Sequence, residues 1–408
     1  MDIQEGSGPL PTRQLDRKPP LIILVVIAML GPLALNIFLP SMLGIQAHFS
    51  TSFSAVQLGL SLFLVSLALA QLVLGTLSDR FGRRPVLLVG TWLFLLGTLT
   101  CLFAPAIEVF LMGRMIQGFG GSAGLILGRA ILRDLYDRDQ AASMIGYVTM
   151  GMAVAPMIGP AIAGYLDKFF GWQSSFWLLL VFAIGVLVAS YLKVSETNKN
   201  PIPSIDFKSL YRSYRELLNI KVFWLYTGLS SCTAGMFFSF LGGAPFVSEK
   251  VLGLTPDVYG LYFVLVALGY SLGNFLSGRF AARIGVFRMI MAGNLLGLAS
   301  IGVMIFLFLT FDASAPLLFG PMLFMSLSNG LVLPSSVAGA VSVKPELAGS
   351  ASGLMGSIQM LVGAMLSYLV GLVLPLTVSP TVWPLIAAMF FTLCCSMVFG
   401  VLLQRTRT

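Results

Sequence analysis

Runs of about twenty apolar residues without a charge follow one another almost without pause from Leu21 to Leu403. Such a run is long enough to cross the hydrocarbon core of a bilayer, where each backbone N–H and C=O must find a partner within the protein. Only helices or a closed barrel meet that demand. The runs are continuous rather than alternating, so helices are expected and a barrel is not. Charged residues make up 10% of the chain, against about a quarter in soluble domains, and an ordinary soluble fold is excluded.

The fold class expected is an all-α polytopic membrane protein of twelve transmembrane helices in two pseudo-symmetric six-helix bundles. The first span is read as 21–48, the second as 53–78, the fourth as 107–131, the fifth as 140–165, the eighth as 256–281 and the eleventh as 347–374. The bundles cover 20–193 and 220–404, with a polar linker at 194–219 and tails at 1–19 and 405–408. The linker holds Glu196, Pro201, Pro203, Arg212, Arg215 and Glu216, with a short surface helix expected at Lys208–Leu218. Residues 1–19 contain no apolar core, so a cleavable leader is not expected.

Orientation is read from the lysines and arginines. Twenty of the 24 fall on the side of the tails and linker; only Lys168 and Lys250 fall on the other, and Arg114 and Arg129 lie inside spans. Both termini and the linker are therefore expected in the cytoplasm, with the chain multi-pass in a bacterial inner membrane. The same bias accounts for the net charge of +8 through topology and anionic lipid, and no nucleic-acid partner is expected.

Cys101, Cys232, Cys394 and Cys395 all sit in apolar runs, and the one histidine is His48. These read as small buried hydrophobes, so no metal site and no cofactor is expected. With no Ser/His/Asp set and no phosphate-binding loop in view, an enzyme is disfavoured.

An internal repeat supports two halves. Gly75, Arg80 and Gly82 recur 203 positions later as Gly278, Arg283 and Gly285, and Gln71 pairs with Asn274 at the same offset. The loop after the second span carries Gly75, Leu77, Ser78, Asp79, Arg80, Gly82, Arg83 and Arg84. The glycines permit a tight turn and close helix approach, and the aspartate suits an arginine or a helix end. A plain positive-inside loop would explain the arginines but not the glycine–aspartate spacing. This loop resembles the signature of the major facilitator superfamily at every defined position. The resemblance implies gating roles for Gly75, Asp79, Arg80, Gly82, Arg83 and Arg84.

Two further motifs agree. Arg114, Gln117 and Gly118 resemble the superfamily's fourth-helix pattern; Arg114 and Gln117 share a helical face. An arginine about 10 Å into a span is expected to face a polar cavity. Arg129 is four residues before Arg133 and is read as snorkelling and structural. Gly146, Gly159, Pro160 and Gly164 in the fifth span resemble the antiporter motif, with Ala155 and Ala163 at two of its glycine positions. Pro160 is expected to bend that helix. Gly120, Gly124 and Gly128 read as a packing ridge, as do Gly269, Gly273 and Ser277 and then Gly349, Gly353 and Ser357.

Asn36 to Pro40, taken with Arg133 to Tyr136, resembles the Bcr/CflA drug-resistance branch, which commonly has an acid where Asn36 stands. The resemblance implies a secondary multidrug exporter working by alternating access and exchanging protons. Asn36 cannot titrate, and Asp134 is the candidate for proton coupling; its competing role is a structural ion pair. Substrate contacts are expected from Asn36, Arg114, Gln117, Phe237, Tyr262, Asn329 and Gln359, in a monomer that takes neutral or anionic drug-like molecules. A metabolite exporter, an uptake permease and a non-transporting receptor remain as alternatives.

Overall fold

A computed structural model describes residues 19–198, 201–202, 207–377 and 379–406. The tail before residue 19 and the linker position Pro203 lie outside the described residues. Regular structure among the described residues is helical throughout. The first part of the chain forms α1 Leu21–Ile37, α2 Met42–His48, α3 Phe53–Phe81, α4 Arg83–Leu102, α5 Ile107–Leu135, α6 Arg138–Met152, α7 Val154–Phe170 and α8 Gln173–Lys193. The linker forms α9 Phe207–Leu218. There follow α10 Lys221–Lys250, α11 Pro256–Ile284, α12 Val286–Thr310, α13 Ala315–Ser342, α14 Ala348–Val373 and α15 Trp383–Arg405.

Ten segments are long and apolar enough to cross a membrane, and the bent pair α1–α2 makes an eleventh. The remaining long helix, α10, falls short in hydropathy because Thr227, Ser230, Ser231, Thr233 and Ser239 lie along it, all buried. A buried helix can carry such groups, since neighbouring helices rather than lipid surround it. α1 to α8 pack on one another, as do α10 to α15, and α9 rests on α10 and α14.

Two spans differ from the sequence reading. The first is not one helix over 21–48; it bends by 63° between α1 and α2, across residues that include Pro40. The fifth is interrupted at Ala153, and Pro160 lies inside continuous α7. Pro156 accounts for the position. It offers no N–H to the Met152 carbonyl, and its ring crowds that same carbonyl.

The repeat is visible as backbone. α3 and α11 each run 29 residues and end at Gly82 (φ 97°) and Gly285 (φ 93°). Side chains avoid that conformation, at a cost of about 1–3 kcal/mol. A methyl group at Gly82 would in addition strike the Glu196 carboxylate, whereas Gly285 has open space. Gly82→Ala is therefore expected to lower the melting temperature in detergent more than Gly285→Ala. Equal shifts would show that Glu196 does not constrain the turn.

Without a hydrophobic drive between helices in lipid, close packing of small residues holds them together. Gly120 meets Gly90 and Phe94 of α4, and Gly124 meets Ile27 of α1, whereas Gly128 has nothing within 4 Å. The expected ridge on α5 therefore packs on two neighbours and stops before its third member. On α11, Gly269 and Gly273 pack against the Leu323 and Leu327 carbonyls of α13, as the ridge reading requires.

Candidate functional site

The loop between α3 and α4 builds a clamp. Arg83 pairs with Asp79 four residues back, donates Nε–H to Asp134 at 2.9 Å, and reaches Ser78 Oγ at 2.7 Å. Glu196, just past α8, accepts from the backbone N–H groups of Arg83 at 2.9 Å and Arg84 at 3.1 Å. Its carboxylate thus caps the N-terminus of α4, where two orphan donors and the helix dipole favour a negative charge. Thr197 donates to Asp134, Asn198 to the Asp79 carbonyl at 2.8 Å, and the Ile202 N–H to that same carbonyl at 3.1 Å. Arg84 stacks on Tyr191 and donates to its carbonyl, and Arg80 lies over Phe81.

Sequence reading found the loop but not Glu196, Thr197 and Asn198, which are more than 100 residues away from it. The available signal was an acid among the basic residues that follow α8. The clamp lies wholly within the first bundle and its linker. Among the described residues Asp79 does not bridge the two halves, and its side chain is 46% exposed.

Arg114 is fully enclosed. Its guanidinium lies 4.4 Å from both the Phe38 and Phe63 rings and donates to the Gly59 and Ala34 carbonyls at 3.3 Å and to Gln117 Oε1. Gln117 passes the connection on to Thr98 at 2.8 Å. The structure thus places Arg114 and Gln117 together, inside the first bundle among α1, α3, α4 and α5, rather than on an open surface.

The halves meet along two seams. On α3, Gln57 donates to Ser367 Oγ at 2.6 Å, Ser61 to the Ala364 carbonyl at 3.0 Å, and the Ala68 carbonyl accepts from Ser357 at 2.8 Å. Gln71 continues the row against Gly356. On α7, Gly164 packs on the Pro256 backbone and the Pro160 carbonyl on Gly260, leaving no room for a side chain at either glycine. Lys168 of α7 pairs with Asp257 of α11 at 2.8 Å, and Phe53 meets Phe246 at 5.2 Å. The cleft lined by Pro40, Leu43, Pro245, Ser248 and Tyr259 encloses only about 10 Å³, room for one water. This end, remote from the linker, is closed to solutes. Toward the linker, Gly75 of α3 and Gly349 of α14 continue the faces of the first seam but have nothing within 4 Å.

The antiporter-type motif divides between these contacts. Gly159 packs on Leu33 and Asn36 and Gly164 on the other half, while Gly146 meets nothing. Asn36 donates to the Pro32 carbonyl at 2.7 Å; its Oδ1 is buried without a partner. Asn329 is likewise buried with an unpartnered Oδ1. Tyr262 stacks on Phe319 at 5.1 Å, and Phe237 on Tyr270 at 6.4 Å. Gln359 is partly buried on α14. Arg129, expected to snorkel, is partly buried. Its Nε is buried without a partner, and its electrostatic neighbours are Arg133 and Tyr270, the latter on α11 of the other half.

Two helical bundles joined at one end by small-residue seams, with a charged loop clamp at the other, define a membrane transporter. The chain belongs to the Major Facilitator Superfamily, whose family model matches residues 22–368. It is 32% identical to an uncharacterized MFS-type transporter, YdgK, of Bacillus subtilis (strain 168), over 86% of this chain and 88% of that one. It is 30% identical to a bicyclomycin resistance protein homolog of Haemophilus influenzae, over 86% and 88%. To multidrug resistance protein D of Escherichia coli (strain K12) it is 28% identical, over 83% and 85%.

Proposed function

We propose that this protein exports drug-like molecules, neutral or anionic, across a bacterial inner membrane in exchange for protons, by alternating access. The observation that carries the reading is the end remote from the linker, held by glycine-to-backbone contacts between the halves, while Gly75 and Gly349 at the other end have nothing within 4 Å. A solute site between two such bundles is reached from one side at a time. Family membership and relatives named for bicyclomycin and multidrug resistance support export of drugs.

With both termini in the cytoplasm, as the positive-inside bias suggests, this conformation faces inward. Closing the cytoplasmic side would bring Gly75 toward Gly349, and Asp79 and its arginines toward the second bundle. Among the seven candidates for substrate contact, Phe237, Tyr262, Asn329 and Gln359 would contribute the wall from the second half and Asn36 that from the first. Arg114 and Gln117 would support Asn36 through α1. We assign proton exchange to Asp134: a proton there would break its ion pair with Arg83 and loosen the clamp.

Proteoliposomes loaded with a drug panel test the whole reading. Counterflow of at least one compound is expected, with acidification driving export; Asp134→Asn should abolish the response to the pH gradient and retain counterflow. A protein that binds compounds but shows no counterflow would be a receptor. Counterflow without proton movement would leave a uniporter. Impermeant cysteine labelling tests orientation: external reagent should modify position 379 and spare positions 12 and 203.

A further inference from the structure

The linker helix α9 has two unlike faces. Leu217 is fully buried and packs in one cluster with Phe223, Tyr226, Ala351 and Met355 at the linker end of the second bundle. On another face Tyr211, Arg215 and Leu218 stand at i, i+4 and i+7, one stripe of a helix. All three are exposed, Tyr211 by 66% and Leu218 by 38%, and Arg212 beside them is exposed as well.

The depth of this face is fixed by its connection to α10. Only Asn219 and Ile220 separate the two helices, and both N–H groups bond back to α9, to the Glu216 carbonyl at 3.2 Å and the Leu217 carbonyl at 3.0 Å. α10 begins at Lys221, so Trp224 lies in its first turn, where a spanning helix meets the headgroup layer. The Trp224 indole N–H donates to the Leu218 carbonyl at 2.7 Å, and 44% of the residue is exposed. The end of α9 is thereby held at the membrane interface with an interfacial tryptophan against it.

The charge on this surface is one-sided. Glu216, the acid of α9, is taken by Lys344 from the segment between α13 and α14. Arg212, Arg215 and the neighbouring Lys221 are exposed and, among the described residues, pair with no carboxylate. Cations set among aromatic and apolar side chains suit a layer that is anionic on its water side and apolar on the other.

We propose that the exposed face of α9, with Lys221 and Trp224 of α10, is a seat for anionic phospholipid on the linker side of the membrane. Arg212, Arg215 and Lys221 meet the phosphate groups, and Tyr211, Leu218 and Trp224 meet the glycerol and the first part of the acyl chains. The Glu216–Lys344 pair ties the seat to the α13–α14 segment, so bound lipid holds the base of the second bundle to one leaflet, whichever solute the protein moves.

Native mass spectrometry of the purified full chain, titrated with dioleoyl phosphatidylglycerol or dioleoyl phosphatidylcholine, tests the seat. The two lipids share their chains and differ in net charge. One cation near an anionic surface contributes about fivefold in affinity, so the tightest site should prefer phosphatidylglycerol by roughly tenfold or more. The double variant Arg212→Gln with Arg215→Gln should lose that preference and keep its melting temperature, since both side chains are exposed. Arg288→Gln, which removes an exposed cation at the start of α12 outside the patch, should leave the preference in place. Equal wild-type affinities for the two lipids overturn the proposal without any variant having to fold. A preference retained in the double variant overturns it too, because the lipid would then sit elsewhere on the basic surface. Displacement of the bound lipid by millimolar glycerol 1-phosphate would mark a site for free phosphate and count equally against a lipid seat.

Discussion

Leucine at Gly260 should reduce counterflow to about a tenth of wild type or less, and leucine at Gly164 should do the same. At each glycine the atoms in the way are backbone, the Pro160 carbonyl facing Gly260 and the Pro256 carbonyl facing Gly164. No flexible side chain stands there to swing aside, so the α7–α11 seam must open to admit the new atoms. Overpacking of this kind costs about 1–3 kcal/mol, which moves a two-state equilibrium roughly five- to 150-fold. The penalty falls on the closed-end conformation alone, because separated halves leave the leucine free. The variants should therefore insert normally yet accumulate in the opposite state. A cysteine at Gln57, buried against Ser367 in the first seam, should then become reactive to external reagent. Gly185→Leu is the control, since that glycine is exposed with nothing within 4 Å. Transport at the wild-type rate in Gly260→Leu would mean that the seam is not part of the cycle.

Those seam contacts show where sequence reading reaches and where it stops. Hydropathy located the spans because lipid imposes one rule on every residue of a helix. The repeat of Gly82 and Gly285 was legible because both carry a backbone conformation that only glycine tolerates. Glycines that pack against another chain segment leave no such mark. Gly164 and Gly128 look alike in sequence; the first touches the other half and the second touches nothing. Helix interruptions are hard to place from sequence for a related reason. Pro156 and Pro160 are both prolines in one apolar run, and which one breaks the helix depends on whether neighbours supply the lost packing. Here Pro160 is buried and its carbonyl lies against α11, and the break falls at Ala153 beside Pro156. Arg114, expected to face a polar cavity, is enclosed among helices of the first bundle. Sequence depth placed Arg114 in a cavity and Arg129 at an interface, but depth along a helix does not say which face points where.

Arg114 supplies the second large effect, on stability rather than transport. Arg114→Ala is expected to destabilise the protein by about 3–5 kcal/mol, the range for breaking a buried polar set or emptying a core site. Three losses add. Two desolvated cation–π contacts, each worth up to about 2 kcal/mol, disappear from Phe38 and Phe63. A volume closed to solvent is left empty. Gln117 Oε1 loses its donor and stays buried. Arg114→Lys should recover little, because a point charge cannot reach two carbonyls and Gln117 while lying flat between two rings. The paired change Arg114→Met with Gln117→Leu tests whether the charge itself is needed for folding. An apolar pair of similar volume removes the desolvation cost together with the bonds, and buried polar sets so replaced often keep their stability. Melting temperature should therefore return close to wild type. Transport should not, if Arg114 works by holding α1 to α3 and α5 through the Ala34 and Gly59 carbonyls, since a methionine packs without fixing the position of Asn36. A paired variant both as stable and as active as wild type would reduce Arg114 to one of several ways of filling the first bundle. A variant stable but inactive would make it the positioning group for the α1 wall of the transport site.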